Sequence, residues 1–181
     1  MKHFRQDVLL TKEDCQAVLD AHEYYDLTKV KLIDGDYLDV DTINKYRGLR
    51  KESIVPLDPN LKLMLLERLK PFGVVKIPDY NMVVKYEQGE ECKKHSDKGT
   101  DSITGERYKT IIIQLSNQNE YSGGSLIVES KEELPADNTQ GNVIIFDSEL
   151  EHYVTKVKSG CRLAQVIWLN KEDMGIKKGL L

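Results

Sequence analysis

Hydrophobic positions along this 181-residue chain change their spacing near residue 80. Before that point, two segments carry apolar residues at intervals of three and four, which is the spacing of one face of an α-helix. After it, short runs either alternate between apolar and polar residues or are wholly apolar, as β-strands do. The pattern predicts two helices followed by a series of strands.

Each predicted helix begins with a capping signal. Thr11, with an acid at Asp14, matches an N-cap followed by a carboxylate three residues later. Asp58 followed by Pro59 matches an N-cap with proline at the first helical position. The apolar faces comprise Cys15, Val18, Leu19 and His22 in the first helix, and Leu61, Leu65 and Leu69 in the second. Faces of this kind cover a flat layer such as a sheet.

The predicted strands are short and are separated by turn residues. They cover residues 81–86, 107–115, 125–129, 142–146, 152–157 and 162–169. Glycine-containing turns lie at 122–124, 140–142 and 158–160. Many short strands after two helices predict a mainly β fold of the α+β class, a sandwich or barrel with the helices packed on one outer face.

Composition limits the domain count and the classes of partner. A length of 181 residues with 40% hydrophobic and 31% charged residues is that of one folded domain. The formal charge of −4 gives no basic surface for a phosphate backbone, so we do not expect a nucleic-acid partner. Three widely spaced cysteines indicate neither a disulfide framework nor a zinc site, and no signal peptide or membrane-spanning run is visible. We expect a cytoplasmic protein without a membrane partner.

The segment 34–52 is polar and carries four aspartates followed by basic residues. It is either a solvated loop or a mobile lid over a site. The residues that would hold a peptide or an amino-acid carboxylate in the second case are Tyr37, Tyr46, Arg47 and Arg50. A second polar loop, 98–106, is a further candidate gate.

Two of the four histidines lie where they can do chemistry. His95 and Asp97 follow a predicted strand, and residues i and i+2 of an extended segment face the same side. His152 begins a later strand and can bring a second imidazole to the same point. Two histidines and one carboxylate on one side of a metal form the facial arrangement of non-haem Fe(II) sites. A His-x-Asp sequence taken alone is weak, because strand ends are often polar.

Arg162 opens the strand ten residues after His152, and we expect the two side chains on neighbouring strands. An arginine inside a barrel needs an anionic partner, because a buried unpaired guanidinium is strongly unfavourable. One candidate partner is a small dicarboxylate, whose planar oxygens match the guanidinium fork. The other is an internal salt bridge to Asp147 or Glu149.

These residues belong to a longer set of motifs between residues 80 and 170. The set comprises Tyr86-Glu-Gln-Gly89, His95-Ser-Asp97, Arg107-Tyr-Lys-Thr110, Gly123-Gly124, Gly141-Asn-Val-Ile-Ile-Phe146, His152, Gly160-Cys-Arg162 and Trp168. In order and spacing it resembles the prolyl 4-hydroxylase-like branch of the 2-oxoglutarate- and Fe(II)-dependent dioxygenases. The resemblance implies a distorted double-stranded β-helix, or jelly roll, supported by N-terminal helices. It divides a single domain, 1–181, into helical support and a lid loop (1–79), the jelly-roll core (80–170) and a C-terminal tail (171–181).

The resemblance also implies roles for individual residues. His95, Asp97 and His152 would ligate Fe(II), and Arg162 would pair with the distal carboxylate of 2-oxoglutarate. Tyr86 matches a tyrosine that lines the cosubstrate pocket in the family. These five residues, with Gln114 as a further cosubstrate-binding residue, form the expected active site.

Two positions depart from the family pattern. Gln114 stands where some relatives place an aromatic hydroxyl toward the cosubstrate, and its amide can still donate to a carboxylate. Cys92 stands where related enzymes often have a tyrosine, and we leave it out of the ligand set because the nearby histidine and aspartate supply those positions. Trp168 and Phe146 lie in apolar strands and are assigned to the core.

By the same resemblance, the expected reaction is hydroxylation of an amino-acid side chain, with a peptidyl proline as the first choice of substrate. 2-Oxoglutarate would be oxidatively decarboxylated to succinate, with O2 consumed and ascorbate as reductant. Asp97 favours hydroxylation, because related halogenating enzymes carry a small residue there. Three alternatives stay open: a free amino acid or small metabolite as substrate, a jelly-roll module that binds a metal or acidic ligand without turnover, and a nucleic-acid demethylase, which the acidic charge disfavours.

Overall fold

The computed structural model describes residues 4–22, 30–31, 37–38, 51–100, 104–129 and 133–177. Its helices are α1 (Lys12–His22) and α2 (Pro59–Leu69). Its strands are β1 (Phe4–Val8), β2 (Val30–Lys31), β3 (Tyr37–Leu38), β4 (Lys51–Pro56), β5 (Tyr80–Tyr86), β6 (Cys92–His95), β7 (Lys109–Gln114), β8 (Ser122–Gly123), β9 (Leu126–Glu129), β10 (Glu133–Pro135), β11 (Asn142–Asp147), β12 (His152–Val154), β13 (Val157–Ser159) and β14 (Arg162–Leu169).

The strands form two facing layers. The larger sheet has the order β1-β11-β7-β14-β5-β4, and the smaller one has the order β10-β9-β12-β6. The strand pairs of both sheets are antiparallel. Two short ribbons, β2–β3 and β8–β13, complete the described strands. The predicted fold class, a jelly roll with supporting helices, is confirmed.

Both helices begin at the predicted caps. The amide of Thr11 donates to Asp14 Oδ2 (3.0 Å) and the amide of Asp14 donates to Thr11 Oγ1 (3.1 Å), which is a reciprocal capping box. Asp58 accepts from the amide of Asn60 at 2.8 Å. Arg68 Nε of α2 then donates to Asp14 at 2.7 Å and ties the two helices together.

The helices cover the outer face of the larger sheet. Their buried residues pack with alternate strand positions in one apolar cluster, which includes Cys15, Val18, Leu61, Leu65, Leu69, Val83, Ile111, Ile113, Val143 and Ile167. The predicted apolar faces of the helices are therefore confirmed. Because side chains alternate along a strand, the intervening positions face the inside of the jelly roll. In β7 these are Thr110, Ile112 and Gln114, and in β14 they are Arg162, Ala164, Val166 and Trp168.

The strands at the two edges of the larger sheet were not anticipated from the sequence. β1 pairs only with β11, and β4 pairs with β5. The side chains of β1 are mostly exposed, so its sequence shows no apolar alternation. These strands bring residues from before position 80 into the jelly-roll sheet, while the predicted division of a single domain into three parts stays a prediction.

The predicted strand 152–157 is in fact two strands. β12 lies in the smaller sheet and β13 pairs with β8. The expectation that His152 and Arg162 lie on neighbouring strands is wrong, because β14 lies in the larger sheet between β7 and β5. The two residues belong to opposite layers, and the polar break at Thr155-Lys156 is where the chain leaves the smaller sheet.

Most of the segment 34–52, predicted to be a solvated loop or a lid, lies outside the described residues. Tyr46, Arg47 and Arg50, which were predicted to hold a substrate in a lid, also lie outside them. Residues 101–103 of the second candidate gate and His3 also lie outside them. Neither helix of the described part of the chain has the length and apolar character needed to cross a membrane.

Candidate active site

His95, Asp97 and His152 meet at one point. His95 ends β6, Asp97 follows it by two residues, and His152 begins β12 directly opposite His95 in the antiparallel register. His95 Nε2 lies 3.6 Å from Asp97 Oδ1, and His152 Nε2 lies 3.5 Å from Asp97 Oδ2. One donor atom from each residue lies within 4.8 Å of the others. The predicted convergence of two imidazoles and one carboxylate is present.

Backbone carbonyls orient both imidazoles. His95 Nδ1 lies 2.8 Å from the carbonyl oxygen of Lys93, and His152 Nδ1 lies 3.1 Å from that of Leu150. A carbonyl only accepts, so each Nδ1 carries a proton, and in the neutral ring the lone pair lies on Nε2. Nε2 is in both rings the nitrogen that lies close to the Asp97 carboxylate. This is the orientation that metal-ligating histidines require.

Hydrogen bonds from neighbouring residues hold Asp97 in place. Thr110 Oγ1 donates to Asp97 Oδ2 at 2.8 Å, and a 3.0 Å hydrogen bond joins the hydroxyls of Thr110 and Ser148. The backbone amide of Asp97 donates to the carbonyl of Ser148 at 3.0 Å. Arg107 Nη1 donates to the carbonyl of Asp97 at 3.1 Å, and its guanidinium lies 3.9 Å from the ring centroid of Trp168. Trp168 packs against the inner core, as assigned, and it reaches the site through this contact with Arg107.

The charges of the three side chains depend on one another. Burial disfavours charge on His95, but Asp97 and Cys92 outweigh it and raise the pKa of His95 to about 10. Burial likewise favours the neutral acid of Asp97, yet the hydrogen bond from His95 and the charge of His152 hold the pKa of Asp97 well below its usual range. Asp97 is thus an anion at neutral pH, held between two nitrogen donors.

Arg162 is fully buried, 1% exposed, on the inner face of β14. It lies opposite Tyr86 in the register of β14 and β5, and its guanidinium is 5.3 Å from the centroid of the Tyr86 ring. Its Nε and Nη2 atoms are buried and have no hydrogen-bond partner in the described chain. A buried donor without a partner is strongly unfavourable, so these atoms indicate a site for an anion.

The internal salt bridge that the sequence left open for Arg162 is not made. Asp147 is paired with Lys109, and Glu149 accepts from Lys98 at 2.9 Å. Both carboxylates therefore have other cationic partners. Of the two sequence-based alternatives, the internal partner is wrong and an external anion is the one left.

Comparison with known proteins agrees with this arrangement. The sequence model of the 2OG-Fe(II) oxygenase superfamily matches residues 81–170, which hold the triad and Arg162. The chain belongs to this superfamily. A PKHD-type hydroxylase from Acinetobacter baumannii is 36% identical over 95 residues, 47% of this chain and 40% of that protein. Another from Prochlorococcus marinus is 32% identical over 142 residues, 71% of this chain and 62% of that protein. The chain thus spans less than two thirds of the length of each of these relatives.

Among solved structures, the Trichoplax adhaerens prolyl hydroxylase in complex with a peptide fragment of the hypoxia inducible factor oxygen degradation domain has a similar fold. It superposes with a TM-score of 0.66 at 15% identity, covering 97% of this chain and 87% of that one. At this identity the similarity concerns the fold alone. It supports the jelly-roll fold.

The donors of this 2OG-Fe(II) oxygenase chain fit the groups that the family name specifies. Two imidazole nitrogens and one carboxylate are the donor set of non-haem Fe(II) sites that keep open positions. The unpaired guanidinium of Arg162 suits the distal carboxylate of 2-oxoglutarate. Both fits come from this chain's own donor atoms.

Cys92 faces the site without joining the donor group. β6 has four residues from Cys92 to His95 where β12 has three from His152 to Val154, and this bulge turns both Cys92 and His95 inward. Cys92 Sγ lies 3.7 Å from His95 Nδ1, the ring nitrogen that faces away from Asp97. The donor group in the described residues consists of the two histidines and the aspartate.

The side chains of Gln114 and Tyr121 differ in their hydrogen bonding. Gln114 is buried, and its Nε2 donates to Asn138 Oδ1 at 3.4 Å. Tyr121 is also buried, and its hydroxyl has no hydrogen-bond partner in the described chain. Tyr121 was not among the predicted site residues, because a single tyrosine before a glycine turn carries no periodic or spacing signal. Phe146, assigned to the core, is fully buried, with its ring centroid 4.9 Å from that of His152.

Proposed function

We propose that this chain is a Fe(II)- and 2-oxoglutarate-dependent hydroxylase. One observation carries the proposal: the triad of His95, Asp97 and His152 is enclosed in the same jelly roll as a buried guanidinium, that of Arg162, with two unpaired nitrogens. A metal-binding triad alone would fit many functions. The triad together with an unpaired buried cation fits an acid that binds the metal at one end and the arginine at the other.

The three ligands would act through the atoms that the structure orients. His95 Nε2, His152 Nε2 and an Asp97 oxygen would hold the metal, while the backbone carbonyls fix both rings and Thr110 fixes the carboxylate. Bound Fe(II) with 2-oxoglutarate and O2 supplies the oxidising chemistry, in which 2-oxoglutarate is decarboxylated to succinate. The protein supplies ligand geometry and a closed environment.

The cosubstrate would be held mainly by Arg162. Its planar fork would pair with the distal carboxylate, and Tyr86 would form a wall of the same pocket. Gln114 belongs to the proposed pocket as well, although Asn138 already accepts from its amide. Because burial strengthens a charged hydrogen bond, we expect the arginine to select dicarboxylates over monocarboxylates.

The substrate we propose is an amino-acid side chain, first of all a peptidyl proline. Support comes from the name of the relatives, PKHD-type hydroxylases, and from a fold shared with prolyl hydroxylases, one of them solved with a bound peptide fragment. Asp97 supports hydroxylation as the outcome, since its carboxylate would take a ligand position that a halogenating enzyme leaves open for halide. Ascorbate as reductant and a cytoplasmic location are further parts of the proposal.

The experiment is oxygen-dependent succinate release from Fe(II) and 2-oxoglutarate, measured across pools of proline-containing peptides and free amino acids. We expect one peptide pool to raise succinate release above the uncoupled background, with the product heavier by one oxygen atom. Stimulation by a free amino acid instead would replace the peptide by the small-molecule alternative. Binding of metal and 2-oxoglutarate without any succinate would show a non-catalytic module and overturn the proposal.

A further inference from the structure

The outer side of β1 is an unprotected sheet edge. β1 pairs with β11 along its whole length without a shift in register, and its other side makes no strand pair in the described part of the chain. All of its side chains except that of Phe4 are exposed, and Val8 among them is 50% exposed. A sheet edge that is exposed and regular is a template for pairing with another strand.

The other edges of the two main sheets carry features that prevent such pairing. β4 begins at Lys51 and ends at Pro56, and the short strand β10 ends at Pro135. β6 carries Lys93 and Lys94 beside its bulge. Lysine, proline, short length and bulges are the means by which proteins block sheet edges. β1 has the sequence Phe-Arg-Gln-Asp-Val and has none of these features.

The backbone of β1 offers hydrogen-bonding groups at this edge. The amide of Leu9 donates to the carbonyl of Gly141 at 3.1 Å, and this pair continues the register of β1 with β11. Because alternate residues of an antiparallel strand bond to opposite sides, the odd-numbered residues of β1 bond toward β11. The amides and carbonyls of Phe4, Gln6 and Val8 therefore point to the free edge.

The sequence of β1 is complementary to itself in antiparallel order. Two copies related by a two-fold axis at Gln6 place Arg5 of each copy opposite Asp7 of the other. The same register places Phe4 opposite Val8. Opposite charges and apolar pairs directly across two strands are favourable. Arg5 and Asp7 would form the pairs without backbone hydrogen bonds, in which side chains lie closer together.

Both charged side chains are available for this pairing. Arg5 has no carboxylate partner among the described residues; its guanidinium lies 4.9 Å from the centroid of the Phe72 ring and 3.5 Å from the Pro71 carbonyl oxygen. Asp7 is exposed and makes no ion pair with that part of the chain. A second copy would give each of these two charges a partner of the opposite sign.

We propose that two copies of this chain pair antiparallel through β1 and join their larger sheets into one continuous sheet. The partner is a second copy rather than an unrelated strand, because the register that matches the edge backbone also matches each charge with its opposite. The pairing is isologous, so it closes as a dimer. The triad and Arg162 lie on other strands, so the dimer does not depend on the proposed function.

The test is sedimentation velocity of the full chain over a range of concentrations. The samples are wild type, Arg5→Asp, Asp7→Arg and an equimolar mixture of these two variants. A homodimer of either variant places like charges opposite each other, whereas the mixture places acidic side chains of one variant opposite basic ones of the other. Lys158→Asp is the matched control, because it makes the same change in net charge at an exposed position of β13. Circular dichroism of each variant checks that it is folded.

We expect wild type and Lys158→Asp to change from monomer to dimer across micromolar concentrations, as for a small interface. Each β1 variant should dimerise about tenfold or more weakly, because two attractive pairs become repulsive, and the mixture should restore the dimer. A wild-type protein that stays monomeric at millimolar concentration would overturn the inference. The same holds if the single variants dimerise as wild type does, or if the mixture associates no better than its components.

Discussion

Thr110 donates a 2.8 Å hydrogen bond to Oδ2 of Asp97, the carboxylate oxygen that lies 3.5 Å from His152 Nε2. Thr110 is fully buried in β7, between β11 and β14, so a central strand of the larger sheet supports a group that lies beside the smaller one. The contact joins the two layers of the jelly roll at the proposed metal site. Its hydroxyl also bonds to Ser148 at 3.0 Å, so it cannot turn away without losing a second partner.

Replacing this hydroxyl should weaken metal binding. Thr110→Val keeps the shape of the side chain but leaves Asp97 without its buried donor, and supporting contacts of this kind typically change metal affinity by about 10- to 100-fold. We expect that loss for Co(II), measured by competition with a chelator. Thr110→Ser is the matched control and should keep most of the affinity, because it retains the donor. Equal affinity in the valine and serine variants would contradict the role given to this contact.

Removal of the carboxylate should end turnover. In Asp97→Ala the two imidazoles have no anionic partner, and we expect succinate formation to fall to background and the metal to bind far more weakly. Asp7→Ala, which removes an exposed carboxylate from edge strand β1, should leave both unchanged. Unimpaired succinate release by the Asp97 variant would refute its role as a ligand.

Arg162 should favour binding of 2-oxoglutarate while it destabilises the ligand-free protein. Arg162→Met removes a buried charge whose Nε and Nη2 have no partner in the described chain, and such a charge is costly to keep in a fold. For a chain of this length, each gain of about 1 kcal/mol raises Tm by about 2–4 °C. We therefore expect the variant to have a higher Tm than wild type without ligand and no further rise on adding 2-oxoglutarate, measured by differential scanning calorimetry. A ligand-free Tm below that of wild type would show that the guanidinium is stabilised by a partner in the free protein.

Metal affinity should rise with pH. The pKa of His95 is raised to about 10 in the metal-free fold, so the ring is charged at neutral pH and must lose a proton before Nε2 can bind a metal. We expect affinity for Mn(II) to increase by about tenfold per unit between about pH 7 and 9, with about one proton released per metal. Calorimetry in buffers of different ionisation enthalpy counts that proton. Affinity independent of pH would show that His95 is neutral in the free protein.

The pKa shifts of His95 and Asp97 also determine how the free energy of unfolding of the metal-free protein changes with pH. The folded pKa of His95 is above its unfolded value, so its contribution is complete below about pH 6.5 and is lost as pH rises through about 10. The folded pKa of Asp97 is lowered, so its contribution is present above its ordinary pKa and is lost as pH falls through the folded value. We expect metal-free stability to decline from about pH 7 to 10, measured by urea unfolding, while the metal-loaded protein does not follow this decline.

Local patterns were sufficient to predict the helices and most inner strands. The capping residues Thr11 and Asp58 act within one turn of helix, and the apolar runs of β7 and β14 reflect burial on both faces. Edge strand β1 pairs on one side only and is largely exposed, so its sequence carries no such run. Its position follows from pairing with β11, which is more than a hundred residues away.

The part of the candidate site that belongs to a sequence motif was predictable. The part that depends on how the sheets pack together was not. His95, Asp97 and His152 are recognisable because the triad requires fixed residue types at the ends of strands. The ten-residue separation of His152 and Arg162 in the sequence did not show which sheet holds Arg162, because the chain changes sheets after β12. The burial of Tyr121 beside Arg162 was not predictable either, because it results from packing around Gly124.

The most direct test of the central claim is the visible absorption of the complete complex. Metal-free protein receives Fe(II) and then 2-oxoglutarate under anaerobic conditions, and the spectrum is compared with that of Asp97→Ala under the same conditions. We predict a charge-transfer band of the chelated 2-oxo acid in the wild-type protein, saturating at one equivalent of each component and absent in the variant. A wild-type spectrum without this band would contradict the claim that His95, Asp97, His152 and Arg162 form one Fe(II)- and 2-oxoglutarate-binding site.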